Sequence, residues 1–191
     1  NYSISCAPND KHYRISVKRE ANGLGGSRYL HDEITIGAAL QVTPPAGDFI
    51  LPHDQSRPVI LLSGGVGLTP MVSMIEALAG RRADFNICYI HGALNGATHA
   101  MDAHVRAIAQ KRGRTSVTTF YSHPTGSDVL GKSHDLEGLI TIDWLTANTP
   151  LDDADIFICG PRPFLHAMIG GLTRTGVTPE RIHYEFFGPA D

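Results

Sequence analysis

The feature that most constrains this chain is a change of hydrophobic period at Arg57-Pro58. There Val59-Ile60-Leu61-Leu62 forms a continuous apolar run, the pattern of a strand buried on both faces. From that point strand-like and helix-like segments alternate. Residues 70–79 carry Met71, Met74, Ile75 and Leu78 at helical spacing, 85–90 read as a strand and 103–112 as a helix. Residues 117–121 follow as a strand, 142–145 as a short helix and 155–159 as another buried strand. A helix is expected over 162–175, closed by Gly176, and a last strand over 181–186. Repeated β-α-β units of this length predict a parallel sheet with helices on both faces and right-handed crossovers.

Upstream the texture is all-β. Tyr13-Arg14-Ile15-Ser16-Val17-Lys18 alternates in type, Asn22-Gly23-Leu24-Gly25-Gly26 reads as a flexible loop, and Ala39-Leu40-Gln41-Val42-Thr43 reads as a strand before a Pro44-Pro45-Ala46-Gly47-Asp48-Phe49 turn. One short helix is expected here, from Ser27 as N-cap to about Glu33. The boundary falls at residues 54–57, which divides the chain into domains 1–55 and 56–191.

With 191 residues of which 42% are hydrophobic, the chain can bury a core and is not disordered. A net charge of −3 without any Lys/Arg-rich run argues against a nucleic-acid or anionic-membrane partner. The three cysteines, Cys6, Cys88 and Cys159, form no C-x-x-C pair and suit neither a disulfide framework nor a zinc ribbon, which fits a reducing cytoplasm. Neither a membrane-length apolar stretch nor a signal peptide is read, and the ten histidines include no H-E-x-x-H spacing.

The sharpest motif is Ser63-Gly64-Gly65-Val66-Gly67-Leu68-Thr69-Pro70, between the first buried strand and the first amphipathic helix. Glycines allow a tight turn and close approach of a ligand, the N–H groups of the first helical turn attract a diphosphate, and Pro70 suits a turn whose N–H groups lack partners. The spacing is neither G-x-G-x-x-G nor a triphosphate loop, and many parallel α/β proteins carry glycines after a first strand for packing alone. A second corner, Cys159-Gly160-Pro161-Arg162-Pro163, follows a later strand at the same carboxyl end, where open α/β sheets bind ligands. Cys159 reads either as a space-filling buried thiol or as part of a nicotinamide pocket.

Together with Tyr2-Ser3 and Pro45-Ala46-Gly47-Asp48-Phe49, these motifs resemble the ferredoxin–NADP reductase superfamily. More narrowly, residues 13–20, His31-Asp32 and Arg181-Ile182-His183-Tyr184-Glu185-Phe186-Phe187-Gly188-Pro189 resemble the reductase portion of flavohemoglobins, which act as nitric oxide dioxygenases. The resemblance runs the length of the chain, in order. It implies a partial antiparallel β-barrel, the remnant of an FAD domain, followed by a five-stranded parallel α/β domain that binds NADH or NADPH. By motif, Tyr2 would pack on the isoalloxazine and Ser3 would hydrogen-bond near its N5. Ser27 would lie in the flavin diphosphate cradle. Gly65, Val66, Gly67, Leu68, Thr69 and Pro70 would form the dinucleotide loop, and Cys159, Gly160 and Pro161 would lie beside the nicotinamide. Phe186, Phe187, Gly188 and Pro189 would cover the flavin, with Phe187 the stacking ring, although two adjacent phenylalanines also read as core. Glu185, with Cys159 and Phe187, completes the expected catalytic set. It would tune the flavin or relay protons, or else be a solvated strand-end carboxylate.

The resemblance implies an NAD(P)H-dependent oxidoreductase that passes hydride to FAD and single electrons onward to a heme or iron–sulfur acceptor in the same or another chain. The segment His91-Gly92-Ala93-Leu94-Asn95-Gly96 lacks an arginine for a 2′-phosphate, which tips the balance toward NADH without excluding NADPH. The chain opens at Asn1-Tyr2-Ser3, without the arginine of Arg-x-Tyr-Ser and about half a barrel. A fragment of a longer protein is therefore expected, with heme only in the parent chain and FAD retention by this piece open. A multicomponent-oxygenase or oxidase-fused reductase is the alternative acceptor context, and a nucleotide-binding sensor without turnover is the alternative of another class.

Overall fold

The computed structural model describes residues 1–20, 22–23, 25–81 and 84–187. Its centre is a fully parallel six-stranded sheet built from β1 (Val59–Gly64), β2 (Ile87–Ala93), β3 (Thr115–Tyr121), β4 (Leu136–Glu137), β5 (Asp155–Gly160) and β6 (Ile182–Phe186), in the order β4-β3-β2-β1-β5-β6. The chain walks outward from β1 to β4, then returns to the other side of β1 with β5 and β6. This reversal sets a topological switch point between β1 and β5, in register from Val59↔Asp155 to Ser63↔Cys159. Five strands match the expected segments. The sixth, β4, has only two residues and too little pattern to be read from sequence.

The continuous apolar runs are explained by burial on both faces. Ile60, Leu62, Ile156 and Ile158 meet Leu145 of α4 (Ile142–Asn148) and Leu165, Met168 and Leu172 of α5 (Arg162–Arg174). Their strand neighbours Val59, Leu61 and Phe157 meet Met71, Ile75 and Leu78 of α2 (Leu68–Ala79) and Val105 of α3 (Asp102–Lys111). Helix α5 ends because Gly176 adopts a left-handed φ of 90°. That turn sends the Gly176 N–H to Thr173 O and the Val177 N–H to Leu172 O, satisfying carbonyls the helix leaves open. No helix among the described residues is long and apolar enough to cross a membrane.

The N-terminal segment differs from the expectation. The strands read at 13–18 and 39–43 are not formed, and β contact among the described residues of 1–55 is limited to an isolated antiparallel bridge, Ile4↔Ile15. Alternation specifies which face a strand would bury, but a strand exists only when a neighbour pairs its N–H and C=O groups. The apolar side chains of Ile36, Val42 and Ile50 lie exposed. The short helix is present as α1 (Gly26–Asp32), capped by Gly25 rather than Ser27. The Ser27 hydroxyl instead accepts the Glu20 N–H at 3.2 Å.

Beneath α3 runs a buried polar chain. Ser63 Oγ lies 2.9 Å from His91 Nδ1, the His91 and His99 rings stand 4.7 Å apart, and His99 Nδ1 is 3.0 Å from the Tyr121 hydroxyl. Arg106 closes the network through Asp102, Thr119 and Asp135. Burial first, and the neighbouring His99 second, pull the pKa of His91 from 6.5 down to about 3. Because the folded value lies below the unfolded one, the unfolded chain holds the extra proton between them, and stability falls as pH drops through that window. At about 1.4 kcal/mol per pKa unit the loss amounts to several kcal/mol across the whole window. Thermal melts from about pH 7 to about pH 4 should therefore show a falling Tm, with a shallower slope in His91→Asn. An equal slope in the two proteins would assign the acid sensitivity to other groups.

Candidate functional site

The two glycine corners meet at the switch point. After β1 the backbone makes one 3₁₀ turn, Gly65–Gly67, and runs directly into α2. No side chain caps either start, so the first-turn N–H groups are left to other partners. A Cβ on Gly67 would overlap the Cys159 carbonyl, so the corners can pack backbone to backbone only because Gly67 has no side chain. Gly160 is similarly constrained, since a Cβ there would come 2.8 Å from Phe164 Cδ1. Gly65 is the opposite case. Its φ is +54°, and no atom lies within 4 Å of where a Cβ would project, so it faces open space.

The predicted loop therefore divides into two parts. Gly65 is exposed and Val66 half-buried, whereas Gly67, Leu68, Thr69 and Pro70 are buried and hold the turn in place. Thr69 contributes directly by donating its hydroxyl to Val66 O at 3.3 Å. On the other corner Gly160 is buried and Pro161 exposed.

Strand β6 brings the C-terminal residues to the same rim. Its register pairs Cys159↔Glu185 and Gly160↔Phe186, and the Phe187 N–H continues the ladder to Gly160 O at 3.3 Å. From the other end of the sequence, the Ser3 hydroxyl donates to Glu185 Oε2 at 3.4 Å. Residues 182 positions apart are thus joined beside the glycine corners. Cys159 is fully buried on the α2 side, and burial first, then the Glu185 charge, push its thiol pKa up, so it stays a neutral thiol.

The adjacent phenylalanines part company, as successive strand residues must. Phe187 is half-buried and packs on the α2-side core, while Phe186 is more exposed beneath the Arg162 guanidinium, 4.5 Å from its ring centre. Gly188 and Pro189 lie outside the described residues. Tyr2 is 41% exposed, and its hydroxyl sits against Gly26, beside Ser27, where a Cβ would lie 2.8 Å away. The sequence motifs assign no role to Arg162 or Phe164. A signal for Arg162 existed: a cation on the first turn of a helix opposes the dipole and needs another reason to be there. Phe164 offered none, because its wedge against Gly64 and Gly160 is a tertiary contact.

Residues 61–169 match the family model of the oxidoreductase NAD-binding domain. The chain is 53% identical over 192 residues to a flavohemoprotein of Xylella fastidiosa strain Temecula1, covering all of this chain and 47% of the relative. It is 46% identical over 194 residues to a flavohemoprotein of Bacillus cereus strain ATCC 10987, covering 99% and 48% respectively. The chain thus spans about half the length of the curated relatives it matches. Among solved structures, the flavohem-like FAD/NAD binding domain of nitric oxide dioxygenase from Vibrio cholerae superposes with a TM-score of 0.86 at 34% identity, covering 98% of this chain and 76% of that one. An Amycolatopsis cytochrome P450 reductase shares the fold, with a TM-score of 0.86 at 24% identity over all of this chain and 56% of the other. The chain belongs to the oxidoreductase NAD-binding domain family, as a flavohemoglobin-type reductase module.

Proposed function

We propose that this chain binds NADH at the β1/β5 switch point and positions it to reduce FAD held against Tyr2, Ser3 and Glu185. The observation that carries this reading is the fit of Gly67 against the Cys159 carbonyl. It joins the two carboxyl-end corners into one rim and leaves Gly65 facing the opening, a cradle suited to a diphosphate. When bound, the two cofactors supply the hydride donor and acceptor. The protein's part is to place and surround them.

Gly65 and Val66 would offer backbone N–H groups to the diphosphate, with no side chain on Gly65 to keep it away. Pro161 and Gly160 would border the nicotinamide, with the neutral Cys159 thiol in the floor behind them. Phe187 would cover the flavin face until the nicotinamide displaces it, and its bond to Gly160 O ties that cover to the dinucleotide corner. Glu185 would orient Ser3 by accepting its hydroxyl proton in a hydrogen bond, placing both groups at the reacting edge. The preference for NADH is supported by the loop after β2. Gly96 N–H donates to Asp128 at 3.1 Å, and backbone bonding to Thr125, against a smaller opposing effect of burial, holds the Asp128 pKa below the usual carboxylate range. A fixed negative charge there would repel a 2′-phosphate, and Arg106 is already committed to Asp102 and Asp135. Electrons would leave singly to a heme or iron–sulfur acceptor, and in a flavohemoglobin the heme would belong to the remainder of the parent chain. A sensor without turnover is disfavoured by the convergence of Ser3, Glu185 and Phe187 on the rim, since mere nucleotide binding does not call for it.

Three results test this. Gly65→Ala should weaken NADH binding about tenfold, or about 1.4 kcal/mol, because its methyl group enters the cradle and strains a backbone held at a φ of +54°. Calorimetric titration with unchanged circular dichroism reads this, and undiminished affinity would place the diphosphate elsewhere. In the flavin-loaded parent protein, anaerobic NADH should bleach the flavin band. Glu185→Gln should slow that bleaching by about tenfold or more with little change in NADH affinity. An unaltered rate would reduce Glu185 to a solvated strand end.

A further inference from the structure

The N-terminal segment has almost no sheet pairing, yet it delivers Ser3 to Glu185. A single carboxylate accounts for much of its anchoring. Glu76 projects from α2, the helix that begins at the glycine corner, and its side chain is only 17% exposed. Its Oε1 receives the Arg14 guanidinium at 2.6 Å and His104 Nε2 of α3 at 2.6 Å, while Oε2 accepts the Ala7 N–H at 2.8 Å. Arg14 also donates to the Ser5 carbonyl through Nε at 3.1 Å and through Nη2. Around this hub, Ser73 of α2 donates its hydroxyl to Cys6 O at 2.7 Å, and Ser5 N–H bonds Arg14 O at 2.7 Å. Ser5 and Cys6 are buried, and Ser16 beyond them touches Met101 through its hydroxyl, 3.7 Å from the sulfur.

Charge-assisted bonds from three donors to one partly buried carboxylate are strong and directional. They clamp Ala7 and Arg14 to the same helix whose start supports the Gly65–Gly67 turn of the dinucleotide cradle. Ser3 lies only four residues before Ala7. We propose that Glu76 is a positioning residue for hydride transfer: it fastens the flavin-side segment, with Tyr2 and Ser3, to the dinucleotide-binding helix and so sets the alignment of the two cofactors. The inference rests on the proposed function for its catalytic consequence, but the clamp itself is a property of this chain alone. The residues that form it belong to neither cofactor cradle, so loosening it shifts the Tyr2–Ser3 segment relative to the rim while the rim's own dinucleotide contacts stay in place. Reactions between held partners are steep in alignment, and a displacement of about 1 Å can cost about a hundredfold in rate.

The test uses two readouts and two variants. Glu76→Gln keeps size and one acceptor but loses the charge; Arg14→Lys keeps a charge but loses the forked geometry that spans Glu76 and Ser5. In this chain, the buried Cys6 thiol should react with a thiol reagent about tenfold faster in either variant, through more frequent opening of the segment. In the flavin-loaded parent protein, flavin reduction by NADH should slow by about tenfold to a hundredfold while NADH affinity stays within about twofold. Unchanged Cys6 labelling overturns the clamp, and faster labelling with an unchanged reduction rate overturns its role in alignment. A wild-type parent whose flavin NADH does not reduce would defeat the reductase reading instead, and Cys6 labelling would then decide the clamp alone.

Discussion

The structure turns on the contact between the Gly67 backbone and the Cys159 carbonyl. Adjacent parallel strands lie under 5 Å apart, so the loops leaving β1 and β5 can share a rim only if their backbones pass without side chains between them. Gly67 makes that possible on one side, and Gly160, packed under Phe164, does so on the other. The central strands β1, β2 and β5 are buried on both faces and need cover on each side. The two apolar clusters under α2–α3 and α4–α5 follow from this requirement.

What the rim does depends on elements that approach it from the two ends of the chain. Strand β6 adds to β5 by ordinary parallel pairing, which carries Glu185 and Phe187 to Cys159 and Gly160. The N-terminal segment arrives without such pairing and is held by side chains, chiefly the Glu76 hub and the Ser73–Cys6 bond. The proposed chemistry at the rim would therefore depend on a sheet that is hard to deform and on a strap whose position rests on a few polar contacts. Desolvation raises the cost of each of these contacts being lost, since a half-buried carboxylate without donors is unfavourable. That burial opposes ionisation of Glu76, yet the bonds from Ala7, Arg14 and His104 outweigh it and hold its pKa below the ordinary carboxylate value.

The polar chain from Ser63 through His91 and His99 to Tyr121 occupies the α3 side just behind the rim. His91 stands near the carboxyl end of β2, and His99 follows the 3₁₀ turn Gly96–Thr98 that leads toward α3. His91 is fully buried and hydrogen-bonded through Nδ1 to Ser63 Oγ. Burial keeps both His91 and His99 toward the neutral form, so the network is uncharged at its centre and balanced at its edge by Arg106 with Asp102 and Asp135.

The α/β half was legible from the sequence in nearly all its elements. Runs such as Val59 to Leu62, the spacing of Met71, Met74, Ile75 and Leu78, and Gly176 at a helix end are local signals with local causes: burial on two faces, a 3.6-residue period and a left-handed turn. The glycine corners were legible for the same reason, and so was their common end of the sheet. Strand β4, the exchange of Ser27 for Gly25 as cap, and the absence of strands over residues 13–18 and 39–43 were decided only in three dimensions. So were the partners of Glu76 and the meeting of Ser3 with Glu185. Periodicity tells which face a segment buries. It is silent about whether a pairing partner is present and which distant side chains a charge will meet, because those contacts exist only once the whole chain has been placed.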